Sequence, residues 1–232
     1  MDSIRKTLIS AAPQKETFSL VPANAQHAMF AALQRLSTLN GSRTGAEVAE
    51  IAACIALRDS DPVVSASAAQ GARLVRSHIL DVEAVRSAAV AGRFELATGL
   101  AVTALATDRE HVALTCCGFL ESNEDLRRAL RVAGDHKLPI LYLVANRFER
   151  GKPHHDFRNL HAEFGVPVLT VDGNDAIAVF RVITEAAHNA RFRRGATLID
   201  AMLFSSARMG VQDPLQSLEA YMRRHNTWTT SN

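Results

Sequence analysis

The second half of the chain alternates short apolar runs with segments of helix length. Strands are predicted over residues 111–116, 139–145, 166–171 and 196–204, and helices over 95–107, 123–133, 157–164 and 175–192. The runs are continuously apolar, which is typical of strands that are covered on both faces. Strands separated by helices favour a parallel sheet. The pattern therefore predicts an α/β fold with three layers, in which helices cover both faces of a mostly parallel sheet.

The first half of the chain is less clearly punctuated. Apolar residues at helical spacing predict a helix over residues 24–39. Residues 47–57 predict a second helix that is apolar almost all round and is therefore buried between layers. Residues 62–66 form a short apolar run that predicts a buried strand, and residues 68–93 predict mostly helix.

Composition and charge exclude several classes of protein. The chain has 232 residues, of which 47% are hydrophobic and 22% are charged, so an ordinary globular protein is expected rather than a disordered one. Because no convincing linker interrupts residues 24–228, they are predicted to form a single domain between a lead-in over 1–23 and a tail over 229–232.

The charge pattern and the apolar runs also bear on partners. The formal net charge is only +2 and basic residues are scattered among acidic ones, so no nucleic-acid partner is expected. No apolar run approaches the length of about 18 residues that spans a membrane, so no membrane partner is expected either.

The three cysteines indicate a reducing compartment. Cys116 and Cys117 are adjacent in sequence and would be strained as a pair, and any other pairing leaves one thiol over. Residues 1–18 alternate charged and apolar side chains without the apolar core of a signal peptide. A transit segment that contains arginine and serine is the alternative, and the acidic residues Asp2 and Glu16 speak against it. We therefore expect a cytoplasmic protein.

The segments that follow the predicted strands are where a ligand would bind. Ligands of such sheets lie beyond the carboxyl ends of the strands. Those segments are residues 65–70, 117–119, 146–148 and 205–209. They hold no carboxylate pair, no Ser-His-Asp order and no glycine-rich phosphate loop. These segments therefore contain few of the side-chain groups that catalysis requires.

Two other groups of residues have a chemical and a structural interpretation. The Cys116-Cys117 pair precedes a predicted helix, whose N-terminus can stabilise a thiolate, but no base lies beside it and the favoured interpretation is a small core residue. The side chains of His154, His155, Asp156 and His161 can bind metals, but their uneven spacing favours a solvated loop.

The sequence VDGND over residues 171–175 looks like a functional motif but has a structural explanation. Asp172-Gly173 predicts a turn, and Asn174 is predicted to cap the long helix that follows. We therefore interpret this motif as part of the fold.

The stretch VALTCCGFLESNEDLRRALRVAGDHKLPILYLVAN over residues 112–146 resembles the diphosphate-binding core of a known family. The similarity continues in order through residues 45–64, through 164–191, through RGATLIDAMLF and through DPLQSLEAYMRR. The family is the alpha subunit of the thiamine-diphosphate-dependent 2-oxoacid and acetoin dehydrogenases. The resemblance implies the thiamine-diphosphate-binding fold, and a beta subunit whose residues complete the thiamine site.

The resemblance also locates the family's metal ligands on this chain. In the family a Gly-Asp-Gly turn and an Asn-Asn pair supply oxygen ligands to magnesium. Alignment on Lys137-Leu138-Pro139 puts Gly118 at the Asp and Arg147 at the ligand Asn, so that only Asn146 of the pair remains. The positions of the family's diphosphate clamps fall on Ser67, Ala68, Gln70, Ser205 and Met209.

These replacements remove the chemistry that the cofactor needs. Gly118 has no side chain to offer, and the guanidinium of Arg147 would repel a magnesium ion, which takes oxygen ligands. We therefore expect no bound cofactor, with Gly118, Asn146 and Arg147 marking a degenerate cofactor position.

Three functions follow from this resemblance. The leading hypothesis is a non-catalytic or regulatory subunit that is like a dehydrogenase alpha subunit. An alternative is a divergent alpha subunit that still binds thiamine diphosphate and magnesium and oxidises a 2-oxoacid or acetoin with a beta partner. A further alternative is a small-anion binding module that uses Arg147 and the helix N-terminus after Gly118.

The predicted helix over residues 95–107 also suggests an assembly. Its larger apolar side chains stand among alanines and are Leu96, Leu100, Val102 and Leu105. This is more apolar surface than one face of a sheet covers, and Gly99 permits close approach of another backbone. We therefore expect a homodimer or a partner that is like a beta subunit.

Overall fold

A parallel sheet forms the middle layer of the molecule. The computed structural model describes residues 19–38, 45–65, 70–76, 79–81, 92–107, 109–120, 123–149, 152–204 and 213–228. The strands within them are β1 (Val63–Ser65), β2 (Ile79–Asp81), β3 (Ala113–Gly118), β4 (Ile140–Glu149), β5 (Lys152–Pro153), β6 (Val168–Asp172) and β7 (Thr197–Leu203). The helices are α1 (Ala23–Thr38), α2 (Ala46–Ala56), α3 (Gln70–Val75), α4 (Gly92–Ala106), α5 (Glu124–Asp135), α6 (Leu160–Phe164), α7 (Ala176–Arg191) and α8 (Pro214–Arg224).

The strands follow the order β2-β1-β3-β4-β7-β6, and all neighbours in this order are parallel. Strand β5 lies off this path and pairs antiparallel with β4. The four strands predicted in the second half of the chain are neighbours in the centre and at one edge of the sheet. The predicted α/β class, the parallel sheet and the three layers are confirmed.

Strand β4 separates the core into two halves. Leu141 and Leu143 pack into the apolar cluster that contains α1, α2, α7 and α8. Tyr142 and Val144 pack into the cluster that contains α4, α5 and α6. Because successive side chains of a strand point to opposite faces, a continuously apolar strand fills both halves. Helix α2 is buried along most of its length, as its apolar sequence predicts.

The prediction of mostly helix over residues 68–93 is wrong in its middle. Helix α3 ends at Val75, and residues Ile79–Asp81 form β2, which pairs with β1 in parallel register. A three-residue strand is too short to show a period in the sequence, so its pairing partner decides its conformation. Residues 82–91 lie outside the described part of the chain.

Two local features near the carboxyl ends of the strands also differ from expectation. Strand β4 continues beyond Ala145 to Glu149 and turns back through β5, because main-chain pairing outlasts the apolar run. The cap of α7 is Asp175, whose carboxylate accepts hydrogen bonds from the N–H groups of Ile177 and Ala178. Asn174 instead donates its side-chain amide to the carbonyl of Phe204, so its predicted capping role is wrong.

A helix that crosses a bilayer must be both long and apolar along its length. None of the described helices combines these two properties.

The contact between α5 and α6 generates a stability prediction. A Cβ atom on Gly134 would lie 1.9 Å from the carbonyl oxygen of Phe164, a backbone atom that cannot rotate away. Gly134→Ala should therefore lower the free energy of unfolding by about 2 kcal/mol or more, as overpacking does. Urea unfolding measures the change. Asp135→Ala, at the exposed neighbouring position, is the matched control and should stay within about 0.5 kcal/mol of the parent protein.

Candidate functional site

Gly118 is the last residue of strand β3, at the carboxyl ends of the parallel strands, where ligands of such sheets bind. Its φ angle is +62°, in the left-handed region, and the register between β3 and β4 shifts between Cys116 and Gly118. A Cβ atom built on Gly118 would meet no atom within 4 Å. The position is therefore open but offers no ligand atom from a side chain.

Arg147 lies on the neighbouring strand, where it pairs in register with Leu203 of β7. Its side chain is exposed, and the guanidinium carbon lies 4.1 Å from the centre of the Phe119 ring. A cation over an aromatic face is held by the ring's quadrupole. The structure thus places the guanidinium of Arg147 over Phe119, the residue that follows Gly118, and holds a positive charge beside Gly118. Ser205, predicted at the same edge, lies outside the described residues, as do Ser67, Ala68 and Met209.

Asn146, the third predicted site residue, is buried and fully engaged in hydrogen bonds. Its side-chain nitrogen donates to the carbonyl of His155 and to Oδ1 of Asp200, both at 2.9 Å. Its side-chain oxygen accepts from the N–H of His155 at 3.0 Å. The amide therefore links the segment that follows β5 to strand β7, and these hydrogen bonds use its donors and its acceptor within the fold.

The space between α2 and the ends of β3, β4 and β7 is almost filled. A cavity of about 10 Å³ remains, lined by Ala46, Ala49, Glu50, Cys116, Gly118, Leu143, Ala145 and Ala201. A water molecule needs roughly 10–15 Å³ by this kind of measure. Among the described residues, the lining contains one carboxylate and no cationic side chain, so these residues give the cavity neither the room nor the charge for a diphosphate group.

Glu50 is the charged group in this cavity, and the sequence pattern did not single it out. It is buried, and its Oε2 accepts a hydrogen bond of 3.0 Å from the N–H of Gly71 at the start of α3. Burial raises the pKa of Glu50 to about 7, the charge of Glu47 adds to this, and the N–H groups of Ala72 and Gly71 oppose it. The available signal was a pair of acidic residues, Glu47 and Glu50, within a helix whose other residues are all apolar.

The cysteines of β3 behave as core residues. Cys116 and Cys117 are both buried. A hydrogen bond with the thiol of Cys54, followed by burial, raises the pKa of Cys116, and burial raises the pKa of Cys117 to about 12. Helix α5 begins only at Glu124. The alternative of a reactive thiolate is therefore unfavourable, because both thiols are held in their protonated form at neutral pH.

The histidine cluster does not form a metal centre. Asp156 is engaged by the guanidinium of Arg158, whose hydrogen bonds lower the pKa of Asp156 to about 2. A ring nitrogen of His155 lies 2.8 Å from the carbonyl oxygen of Leu120. Within the described ranges, no group of three or more His, Cys, Asp or Glu side chains is placed to hold a metal ion.

The helix N-terminus after Gly118 is poorly suited to an anion. The first turn of α5 carries Glu124 and Asp125, whose carboxylates already supply negative charge to that end of the helix dipole. This weakens the alternative of a small-anion module.

Comparison with known sequences shows which family this chain resembles. The family model described as "Dehydrogenase E1 component" matches residues 69–217. The alpha subunit of acetoin:2,6-dichlorophenolindophenol oxidoreductase from Bacillus subtilis (strain 168) is 29% identical over 123 residues, which cover 50% of this chain and 37% of that subunit. The pyruvate dehydrogenase E1 component subunit alpha of Porphyra purpurea is 32% identical over 126 residues, which cover 48% of this chain and 37% of that subunit. The matched part thus spans well under half the length of these relatives.

A solved structure shares the architecture. A protein described as a thiamin diphosphate-dependent enzyme isolated from Mycobacterium smegmatis superimposes with a TM-score of 0.52 over 68% of this chain and 31% of its own, at 17% sequence identity. At that identity the similarity shows a common fold.

The buried acid of the cavity generates a pH-dependence prediction. The pKa of Glu50 is about 7 in the folded protein against an ordinary value of 4.5, so the folded state holds an extra proton between these pH values. The free energy of unfolding of the parent protein should therefore fall as pH rises through this window, by up to about 3 kcal/mol relative to Glu50→Gln. Urea unfolding of both proteins across the window measures the difference.

The control for this experiment is Glu185→Gln, at an exposed acid of α7. It should follow the pH dependence of the parent protein. If Glu50→Gln ran parallel to the parent at every pH, the protonated state assigned to Glu50 would be wrong.

Proposed function

The chain belongs to the dehydrogenase E1 component family. We propose that within this family it is a non-catalytic or regulatory subunit. It is homologous to the E1 alpha subunits of 2-oxoacid dehydrogenases. In this proposal it keeps the fold of those subunits, and its magnesium and diphosphate positions no longer bind the cofactor. Its place of action is the cytoplasm, consistent with three free cysteines.

The replacement of metal ligands by Gly118 and Arg147 carries this proposal. Magnesium requires near-octahedral oxygen ligands. At the aligned positions one residue has no side chain, and the other presents a guanidinium that is stacked on Phe119. A fixed positive charge beside the open position of Gly118 opposes a second cation. The residues present therefore do not fit a magnesium ion.

The groups around this position also oppose the diphosphate. The amide of Asn146 is engaged with His155 and Asp200, so it is not available as a ligand. The cavity beside Gly118 is lined by the carboxylate of Glu50, and a partly ionised carboxylate repels phosphate oxygens. None of the described residues that line this cavity is one of the cationic partners with which proteins hold diphosphate groups.

A subunit without its own cofactor site acts through a partner, and α4 offers a surface for one. Val102 of α4 is 45% exposed and Val132 of the adjacent α5 is 41% exposed. A Cβ atom placed on Gly99 of α4 would meet no atom within 4 Å, so the space beside this glycine is open. We propose that this surface joins two copies of the chain or one copy and a subunit that is like a beta subunit.

The cofactor proposal predicts the outcome of a calorimetric titration. The purified chain should give no magnesium-dependent heat of binding with thiamine diphosphate, because the metal and the diphosphate both lack partners. The double variant Gly118→Asp with Arg147→Asn should shift the protein toward magnesium-dependent binding, since an aspartate tolerates a positive φ better than most residues and the position is open.

Arg181→Asn removes the same charge from an exposed site on α7 and is the matched control, with no expected gain of binding. Tight magnesium-dependent binding by the unmodified chain would overturn the proposal and favour the divergent dehydrogenase that acts with a beta partner.

The assembly proposal predicts a stable dimer in solution. Obligate interfaces bury more than about 2,000 Å² and resemble a core that is cut in half. Gly99→Leu should weaken the dimer, because a larger side chain overpacks a contact at the α4 surface. Light scattering at micromolar concentration measures the mass of both proteins. A monomer for the parent chain, with no partner recovered in a pull-down, would exclude both forms of the assembly.

A further inference from the structure

A second cavity lies on the α6 side of the sheet, away from the cavity beside Gly118. It is an open groove of about 550 Å³ between the segment that follows β5 and two strands, the edge strand β6 and its neighbour β7. Pockets that bind small molecules occupy about 300–1,000 Å³ and combine apolar walls with a few polar groups. Val168, Pro167 and Met202 supply apolar wall, and Asp200 and Thr170 supply polar groups.

Asp200 is the acidic residue that this groove leaves without a strong cation. It stands in the middle of a strand whose neighbouring residues on both sides are apolar, and it is 6% exposed. Its carboxylate accepts hydrogen bonds from the amide of Asn146 and from the hydroxyl of Thr170, which are both neutral donors. Among the described residues no lysine or arginine forms an ion pair with Asp200. Burial is the largest influence on its pKa and raises it, while His155 lowers it.

The other charges that line the groove largely satisfy one another. Nε of Arg158 donates to both carboxylate oxygens of Asp156, at 2.9 and 3.1 Å, so these two charges cancel locally. The ring nitrogen of His155 that faces the carbonyl of Leu120 is a donor, because a carbonyl oxygen can only accept. His161 is exposed. The uncompensated charge of the groove is therefore the negative charge of Asp200.

We propose that this groove binds a small organic cation, an ammonium or guanidinium group on a short apolar chain, with its charged head on the Asp200 carboxylate. A cation there would replace the solvation that burial removes from this carboxylate, which neutral donors replace only in part. The apolar chain would lie against Val168, Pro167 and Met202. The amide of Asn146 donates a hydrogen bond to Oδ1 of Asp200 and holds the carboxylate in place, so the site is preorganised. This proposal does not depend on the state of the cofactor position.

The test is an NMR titration of the full chain with three probes of similar size. The probes are n-butylammonium, butan-1-ol and butyrate, which differ in charge at the head. Only n-butylammonium should shift the backbone amide signals of residues in the groove, those of Thr170, Asp200 and Met202 among them. Equal shifts with butan-1-ol, shifts with butyrate alone, or no shifts with n-butylammonium would each overturn the proposal.

Variants separate the role of the carboxylate from a general effect of charge. Asp200→Asn keeps an acceptor for Asn146 but removes the negative charge, and it should weaken n-butylammonium binding at least about tenfold. Glu185→Gln makes the same change of net charge on the opposite face of the sheet and should bind as the parent chain does.

A further variant keeps the test decisive if Asp200→Asn does not fold. Thr170→Lys, at an exposed position of the edge strand β6, places a resident ammonium beside Asp200 and should block the probe. Unchanged binding in a folded Asp200→Asn or in Thr170→Lys would contradict the assignment.

Discussion

The hydrogen bonds of the Asn146 side-chain amide are the interaction on which the carboxyl ends of β4 and β7 depend. This amide sits at the carboxyl end of the central strand β4, and it joins the segment after β5 to the carboxylate of Asp200 on β7. A buried amide must satisfy its donors and acceptor within the protein, and here three hydrogen bonds do so. Because those bonds are internal, the amide holds the fold and is withheld from any ligand.

The same arrangement separates two regions with opposite character. Strand alternation sends Asn146 into the protein and Arg147 out of it, so the guanidinium stacks on Phe119 beside Gly118. On the other side, the amide orients Asp200 toward the groove. The guanidinium of Arg147 thus lies beside Gly118, whereas the carboxylate of Asp200 lines the groove.

Burial also changes the chemistry of the groups near Gly118. Glu50 and the thiols of Cys116 and Cys117 all stand where water is excluded, and each has a raised pKa. A low-dielectric environment disfavours the charged form of an acid. The three side chains are therefore held toward their neutral forms, which suits a packed core and does not suit a nucleophile or a metal ligand. The chain shares the E1 component family with pyruvate dehydrogenase E1 alpha subunits, and the environment of these three side chains is that of a protein interior.

The sequence by itself determined the class of fold and the family resemblance. Continuously apolar runs separated by helices specify a parallel sheet with two covered faces, because both sets of alternating side chains must be buried. Alignment to the family, through that resemblance, is the basis for the prediction that Gly118, Asn146 and Arg147 mark a cofactor position. The short strand β2, the β5 hairpin and the Asp175 cap were decided by tertiary structure, since main-chain pairing and local hydrogen bonds leave little periodic signal. Glu50 and Asp200 emerged only in the structure, because the meaning of an acid within an apolar run depends on what surrounds it in space.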